Sequence, residues 1–157
     1  MNRERAIIIT EWIIMIIMLI KFIPRSRVRE AHVAFLFKQL LTWLLGLAVV
    51  EFGLIEYPIR CFANATKTNF TFEYFIYPSI CAIFNVNYPL KKGPWGQFMY
   101  YFYYCTTMTV IEVIYERNTN IVKYIHWTWY ITWISLFLTF YITRKYYVWF
   151  FKLKKKS

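Results

Sequence analysis

Five apolar stretches, at about 6–23, 33–53, 70–88, 97–115 and 127–148, constrain this chain more than any other feature. Each is close to the ~20 residues that a helix needs to cross a hydrocarbon layer. In such a layer the backbone satisfies its own N–H and C=O groups only as a helix or a closed barrel. The stretches exceed the ~9–11 residues of a barrel strand and lack its alternation, so their many β-branched residues do not argue for a barrel. The expected fold class is therefore all-α, a single membrane-embedded domain over 1–157 built as a polytopic bundle of five transmembrane helices. Ile23-Pro24, Pro78 and Gly93-Pro94-Trp95-Gly96 supply a stop, a kink and a start. Phe52–Ala63 is read as a loop or a re-entrant segment.

Arg3 and Arg5 give the first stretch a basic start like that of a signal peptide. Lys21-Phe22-Ile23-Pro24-Arg25 then follows where small residues would mark cleavage, so a retained helix is expected. A formal charge of +11 beside 59% hydrophobic residues suggests nucleic-acid binding only until the cations are located. They collect at the ends of the apolar runs rather than over one face, which excludes that partner class. Cys61, Cys81 and Cys105 lie far apart and His32 and His126 stand alone, so neither a disulfide framework nor a metal site is expected.

The cations also orient the bundle. With five spans and the N-terminus outside, thirteen of the nineteen Lys and Arg residues fall inside, Lys38 among them. The positive-inside rule then favours N-out/C-in. On that topology the acids, all Glu, separate to the other side, and Glu30 alone lies within. Glu11, Glu51, Glu73 and Glu112 each approach the outer end of a different helix, on the order of 3–8 Å below the boundary at ~1.5 Å rise per residue. Glu116 lies just beyond, with Glu4 and Glu56. Carboxylates at such depth face a bundle interior or a wet cavity, so one reading is an outward acidic vestibule for a cation, an amine or a proton. The plainer reading pairs each Glu with Arg60, Arg117 or Lys123, or with a Tyr hydroxyl, or lets it snorkel to the headgroups. Glu112 and Glu116, one turn apart, repel unless a cation or proton sits between them.

Tyr124, Trp127 and Trp129, with Tyr130 and Trp133, fit an interfacial aromatic belt, and a ligand-stacking cage is the alternative. The tail Trp149–Ser157 carries four lysines, each contributing roughly 1 kcal/mol beside an anionic leaflet. The expected partners are thus the lipid bilayer, anionic headgroups at that tail, and a second copy or another membrane protein. Asn64-Ala-Thr66 and Asn69-Phe-Thr71 match glycosylation sequons. HExxH, GxSxG, paired aspartates and a phosphate-cradling glycine loop are all missing, so no enzyme, cofactor or metal is expected.

Glu112-x3-Glu116-x-Asn-Thr-Asn-x2-Lys123-Tyr124-x2-Trp127-Thr-Trp129, continuing into Ile134-Ser-Leu136, resembles the C-terminal signature of an uncharacterised family of small multi-pass membrane proteins. That family occurs mainly in endospore-forming Gram-positive bacteria. Tyr57-Pro58-x-Arg60 and Tyr74-x2-Tyr77-Pro78 are similar to its earlier motifs, and the likeness covers roughly 50–140. The resemblance implies a bacterial cytoplasmic membrane and a link to sporulation or the envelope, and it carries over no catalytic residue. The expected function is a non-enzymatic accessory or partner-binding component, multi-pass in the cell membrane. The alternative is a small transporter or channel for a cation or cationic solute, and a lipid-modifying enzyme using the Glu pair ranks third.

In a cysteine-free background, an impermeant maleimide added to whole cells should label Ala65→Cys and leave Gly93→Cys unlabelled. The reverse pattern would overturn the orientation.

Overall fold

A computed structural model describes residues 3–152, so the tail at 153–157, and with it the expected headgroup contact, lies outside the described residues. All five apolar runs form helices: α1 (Arg3–Phe22), α2 (Val28–Glu51), α3 (Tyr77–Val86), α4 (Pro94–Asn118) and α5 (Trp129–Phe150). A 3₁₀ turn, Arg25–Arg27, joins α1 to α2, and a π-helical turn, Thr71–Ile76, leads into α3. The all-α expectation holds, with one addition. Strands β1 (Ile55–Glu56) and β2 (Lys123–Tyr124) form an antiparallel ribbon with Ile55 opposite Tyr124 and Glu56 opposite Lys123.

Among the described residues one helical stretch, Arg25–Glu51, is long and apolar enough to cross a membrane, with mean hydropathy 2.0. The other helices fall short for identifiable reasons. Arg5, Glu11 and Lys21 interrupt α1, and Tyr, Trp and Thr dilute α4 and α5. The π turn and α3 contribute only 6 and 10 residues. Five spans therefore do not follow from hydropathy alone.

Helix α3 is the centre of the bundle, with Pro78, Ser79 and every residue from Cys81 to Val86 buried. Its most extensive contact is with α2, where the small Ala31 packs against Ala82 and Val86. Small side chains let two helix backbones approach closely. On the other side α4 and α5 close around Phe84 through Tyr101, Cys105, Met108, Leu136 and Phe140. Helix α1 leans on the π turn: Trp12 stacks on Phe75 at 4.2 Å and donates its indole N–H to Thr71 Oγ1 at 3.3 Å.

Side-chain and backbone ties close both ends. At one, Ile59 N–H donates to the Asn120 carbonyl at 3.0 Å, and Leu54 C=O accepts from Ile125 and His126 beside the ribbon. The chain thus turns at Gly53 (φ 63°), a left-handed conformation that glycine adopts at no steric cost, and caps the bundle. Phe52–Ala63 forms part of this cap. At the opposite end Arg27 pairs with Glu30 at 2.6 Å and also donates to the Val86 carbonyl and to Tyr147, whose hydroxyl donates to Glu30. Arg144, buried, donates to the Asn85 carbonyl and lies 4.0 Å from the Tyr88 ring centroid.

The π turn has a definite cause. Pro78 has no N–H, so the Tyr74 carbonyl one turn earlier has no helical donor. The Tyr77 N–H bonds to Phe72 C=O instead of Glu73 C=O, the five-residue spacing of a π turn. Two adjacent carbonyls are left over, and α2 supplies both donors. Thr42 Oγ1 donates to Glu73 C=O at 2.6 Å and Gln39 Nε2 to Tyr74 C=O at 2.8 Å. Since a buried unpaired carbonyl is costly, this pair fixes the register of α2 on α3.

Thr42→Val should destabilise the protein by about 1–3 kcal/mol, because it leaves the Glu73 carbonyl unpaired. Gln39→Leu should cost less, since its bond lies on the exposed surface of the bundle. Thermal unfolding in detergent tests the order. At the other end, burial acts to raise the Glu30 pKa, but the bonds from Arg27 and Tyr147 and the guanidinium charge outweigh it and hold the carboxyl below its ordinary 4.5. A depressed carboxylate stabilises the fold above its unfolded value, and the contribution is lost as pH falls through the folded one. Glu30→Gln should therefore remove stability at neutral pH and flatten the acid limb of the profile below pH 4.5, read by thermal midpoint against pH.

Candidate functional site

A cavity of about 120 Å³ lies inside the ribbon-capped end of the bundle, between α2, the π turn, α4 and α5. Thr42 and Gly46 line it from α2, Glu73 from the π turn, Tyr77 from α3, Glu112 from α4, and Thr132, Ser135 and Thr139 from α5. Ile55, Tyr57 and Trp127 close it beneath the ribbon. It brings together two of the five acids singled out in the sequence.

The two carboxylates have opposite surroundings. Glu112 is fully engaged: Tyr77 donates to Oε2 at 2.6 Å, while Tyr124 at 2.6 Å and Thr132 at 2.8 Å donate to Oε1. Trp127 Nε1 donates to the Thr132 hydroxyl at 2.7 Å, so the ribbon, α3, α4 and α5 converge on one acid. Burial and the Glu112 charge push the Tyr124 phenol well up, which keeps its hydroxyl protonated as a donor, and burial with Glu73 and Glu112 raises Tyr57 likewise.

Glu73 is 4% exposed, and neither carboxylate oxygen has a partner within 3.5 Å, although the Tyr57 and Thr68 hydroxyls and the Asn69 backbone lie near it. It lies over Gly46, where a Cβ would collide with its carboxyl carbon and both oxygens. Glycine costs a helix interior ~1 kcal/mol relative to alanine, so its presence in α2 has a local reason, which is to make room for this carboxyl. Buried carboxylates without a partner are rare because each unpaired charged oxygen forfeits its hydration. The arrangement suits a proton or a cation that completes the missing contacts.

The remaining acids lie elsewhere. Glu11 borders a separate cleft with Arg3, Thr10 and Tyr115 between α1 and α4, where its Oε2 has no partner. Glu51 is exposed at the end of α2, and Glu116, half-buried, lies outside the cavity. The expected ion pairs do not form: among the described residues the sole ion pair is Arg27–Glu30. Arg60 instead donates to the carbonyls of Tyr57, Ala63 and Thr66, which folds its own loop, and Arg117 and Lys123 are exposed. Tyr124 and Trp127 belong to the site, whereas Trp129 is exposed. Asn69 is fully buried, so its sequon is inaccessible in this fold.

Sequence reasoning missed Lys38. Counted above as an inner-boundary charge, it is fully buried in the bundle, donates to Thr139 Oγ1 and lies 4.4 Å from the Phe140 ring centroid. A signal was present, because Lys38 falls inside the 33–53 run and shares one helical face with Thr42 and Gly46 at four-residue spacing. Among the described residues no group of His, Cys, Asp and Glu could hold a metal ion. No family model, curated protein or solved structure matches the chain.

Gly46→Ala should lower the thermal midpoint, since overpacking a filled site typically costs about 1–3 kcal/mol. Gly46→Ala combined with Glu73→Ala should recover most of the loss, because the colliding group is gone. Simple addition of the two single effects would refute the cradle.

Proposed function

We propose that this chain is a non-enzymatic, multi-pass component of a bacterial cytoplasmic membrane, oriented N-out/C-in, whose buried acidic cavity binds a small monovalent cation. Glu73 carries the reading, as a carboxyl with two unpartnered oxygens, cradled by Gly46 and facing a cavity where Glu112 and the Thr132, Ser135 and Thr139 hydroxyls stand among Leu45, Val49 and Leu136. At ~30 Å³ per water, a space of this size suits an ammonium or alkali ion with some water and is too small for a bulky solute. Glu112 already accepts from three hydroxyls, so it acts as the clasp that holds the ribbon and three helices around the site.

The membrane setting draws support from an inside-out distribution of side chains. Ile13, Ile17 and Ile20 on α1, Leu36, Leu40 and Leu44 on α2, and their counterparts on α4 and α5 are exposed. Lys38, Thr42, Glu73, Asn85, Thr139 and Arg144 are buried. A water-soluble monomer rarely exposes so much contiguous apolar surface. Polar side chains turned toward the bundle interior are the arrangement a bilayer demands. The resemblance of the 112–136 segment to a bacterial membrane family supports the same compartment.

Purified protein in detergent, titrated with ammonium, sodium and potassium chloride at constant ionic strength, should gain thermal stability with at least one of them. Saturation at a hundred times Kd corresponds to about 2.7 kcal/mol. Glu73→Gln should keep the fold and lose the response, and equal responses in both proteins would refute the site.

A further inference from the structure

Pro89 leaves a second helix short of a donor. It has no N–H, so the Asn85 carbonyl near the end of α3 lacks its helical partner. Arg144 of α5 fills the place, donating from Nη1 at 3.3 Å, and Arg27 donates to the next carbonyl, that of Val86. Two guanidinium groups thus meet at the negative end of α3, close enough for the charge of Arg27 to act on Arg144. They differ in one respect. Glu30 neutralises Arg27 at 2.6 Å, whereas among the described residues no carboxylate pairs with Arg144.

Arg144 is only 6% exposed, and a buried charge without a counter-charge is costly. Its guanidinium lies over the Tyr88 ring, 4.0 Å from the centroid, with the Tyr147 centroid 5.2 Å away. Stacking of that kind covers the face of the fork and leaves its N–H edge for hydrogen bonds. A guanidinium has five N–H groups, and Asn85 takes one of them. Nε and Nη2 have no acceptor among the described residues, and neither is sealed from the surface. At the same end of the bundle Arg25, Arg29, Lys91, Lys92 and Lys145 are exposed, and Glu30 is the only acid among the described residues there. Leu90, Trp95 and Trp149 are exposed at that end too. A planar fork with free donors suits two oxygens of a phosphate, and basic pockets between helices at a membrane surface suit lipid headgroups.

We infer that the free edge of Arg144, with Arg27 beside it, binds the phosphate of an anionic phospholipid. The phosphate supplies the counter-charge that Arg144 lacks and ties α3, α5 and the turn before α2 at one point. A free phosphate ester offers the same oxyanion, but the exposed apolar side chains at this end favour a headgroup with acyl chains. The site is separate from the cavity beneath the ribbon and shares only the membrane setting with the function proposed above.

The test is native mass spectrometry of the protein released from micelles that hold equal phosphatidylglycerol and phosphatidylcholine. The wild type should retain phosphatidylglycerol preferentially. Arg144→Lys keeps the charge but loses the fork, and should weaken that retention about tenfold. Two controls in the full chain, Arg25→Gln with Arg29→Gln and Lys154→Gln with Lys155→Gln, should lose less. A loss in either control equal to that of Arg144→Lys, or none in Arg144→Lys, overturns the site in favour of diffuse surface charge. A wild-type measurement decides the matter even where Arg144→Lys fails to fold. Glycerol 3-phosphate is compared with chloride at constant ionic strength by thermal shift. A lipid preference without that shift supports a lipid phosphate, and a shift without a lipid preference supports a free phosphate ester and overturns the lipid. Neither a preference nor a shift overturns the site. The cation response of Arg144→Lys should match that of the wild type, so the two sites fail or stand separately.

Discussion

The missing N–H of Pro78 is the constraint on which the rest of this structure depends. It removes one helical donor, and the helix widens by a π turn that releases a second carbonyl. The Glu73 carbonyl, inside the bundle, must find a donor and Thr42 on α2 provides it, while Gln39 on the same helix meets the exposed Tyr74 carbonyl. That pairing sets the register between the two most closely packed helices. It also sets the height and direction of Glu73, which sits within the widened turn. A regular α-helix through 71–76 would leave only the Tyr74 carbonyl without a donor and would turn Glu73 to a different face.

The two cavity acids show how environment separates chemically identical groups. Glu112 takes three hydroxyl donors and needs nothing more, so it ties the ribbon to the helices without a salt bridge. Hydroxyl donors suit this setting, because a buried ion pair costs the desolvation of two charges where a phenol costs far less. Glu73 has a cavity in place of donors. At the opposite end the reverse polarity prevails, with Arg27, Arg144 and Glu30 gathered around Tyr147 and Tyr88. The bundle interior therefore runs from acidic at the ribbon, through Lys38, to basic at the far end.

Much of the fold was legible in order along the chain. The five apolar runs became the five helices, with boundaries a few residues from those expected, because run length and proline position act locally. Glu73 and Glu112 were also picked out as acids beside hydrocarbon, a cost any sequence displays. The ribbon escaped notice because its strands are two residues each and owe their pairing to the meeting of two distant loops. The ion pairs expected for Glu112 gave way to Tyr77, Tyr124 and Thr132, since reach in sequence says nothing of which side chain a neighbouring helix presents.

The sequence by itself determined that the chain is helical and that Glu73 and Glu112 stand where charge is expensive. These follow from hydropathy and from the desolvation of carboxylates, both properties of residues taken one at a time. Only the tertiary structure decided which acid is closed and which is free, why α2 carries a glycine at 46, and that Lys38 lies inside the bundle rather than at its edge. Those outcomes depend on which donors and which empty space face each group. That is set by helix register, and register here follows from two carbonyls that Pro78 left without partners.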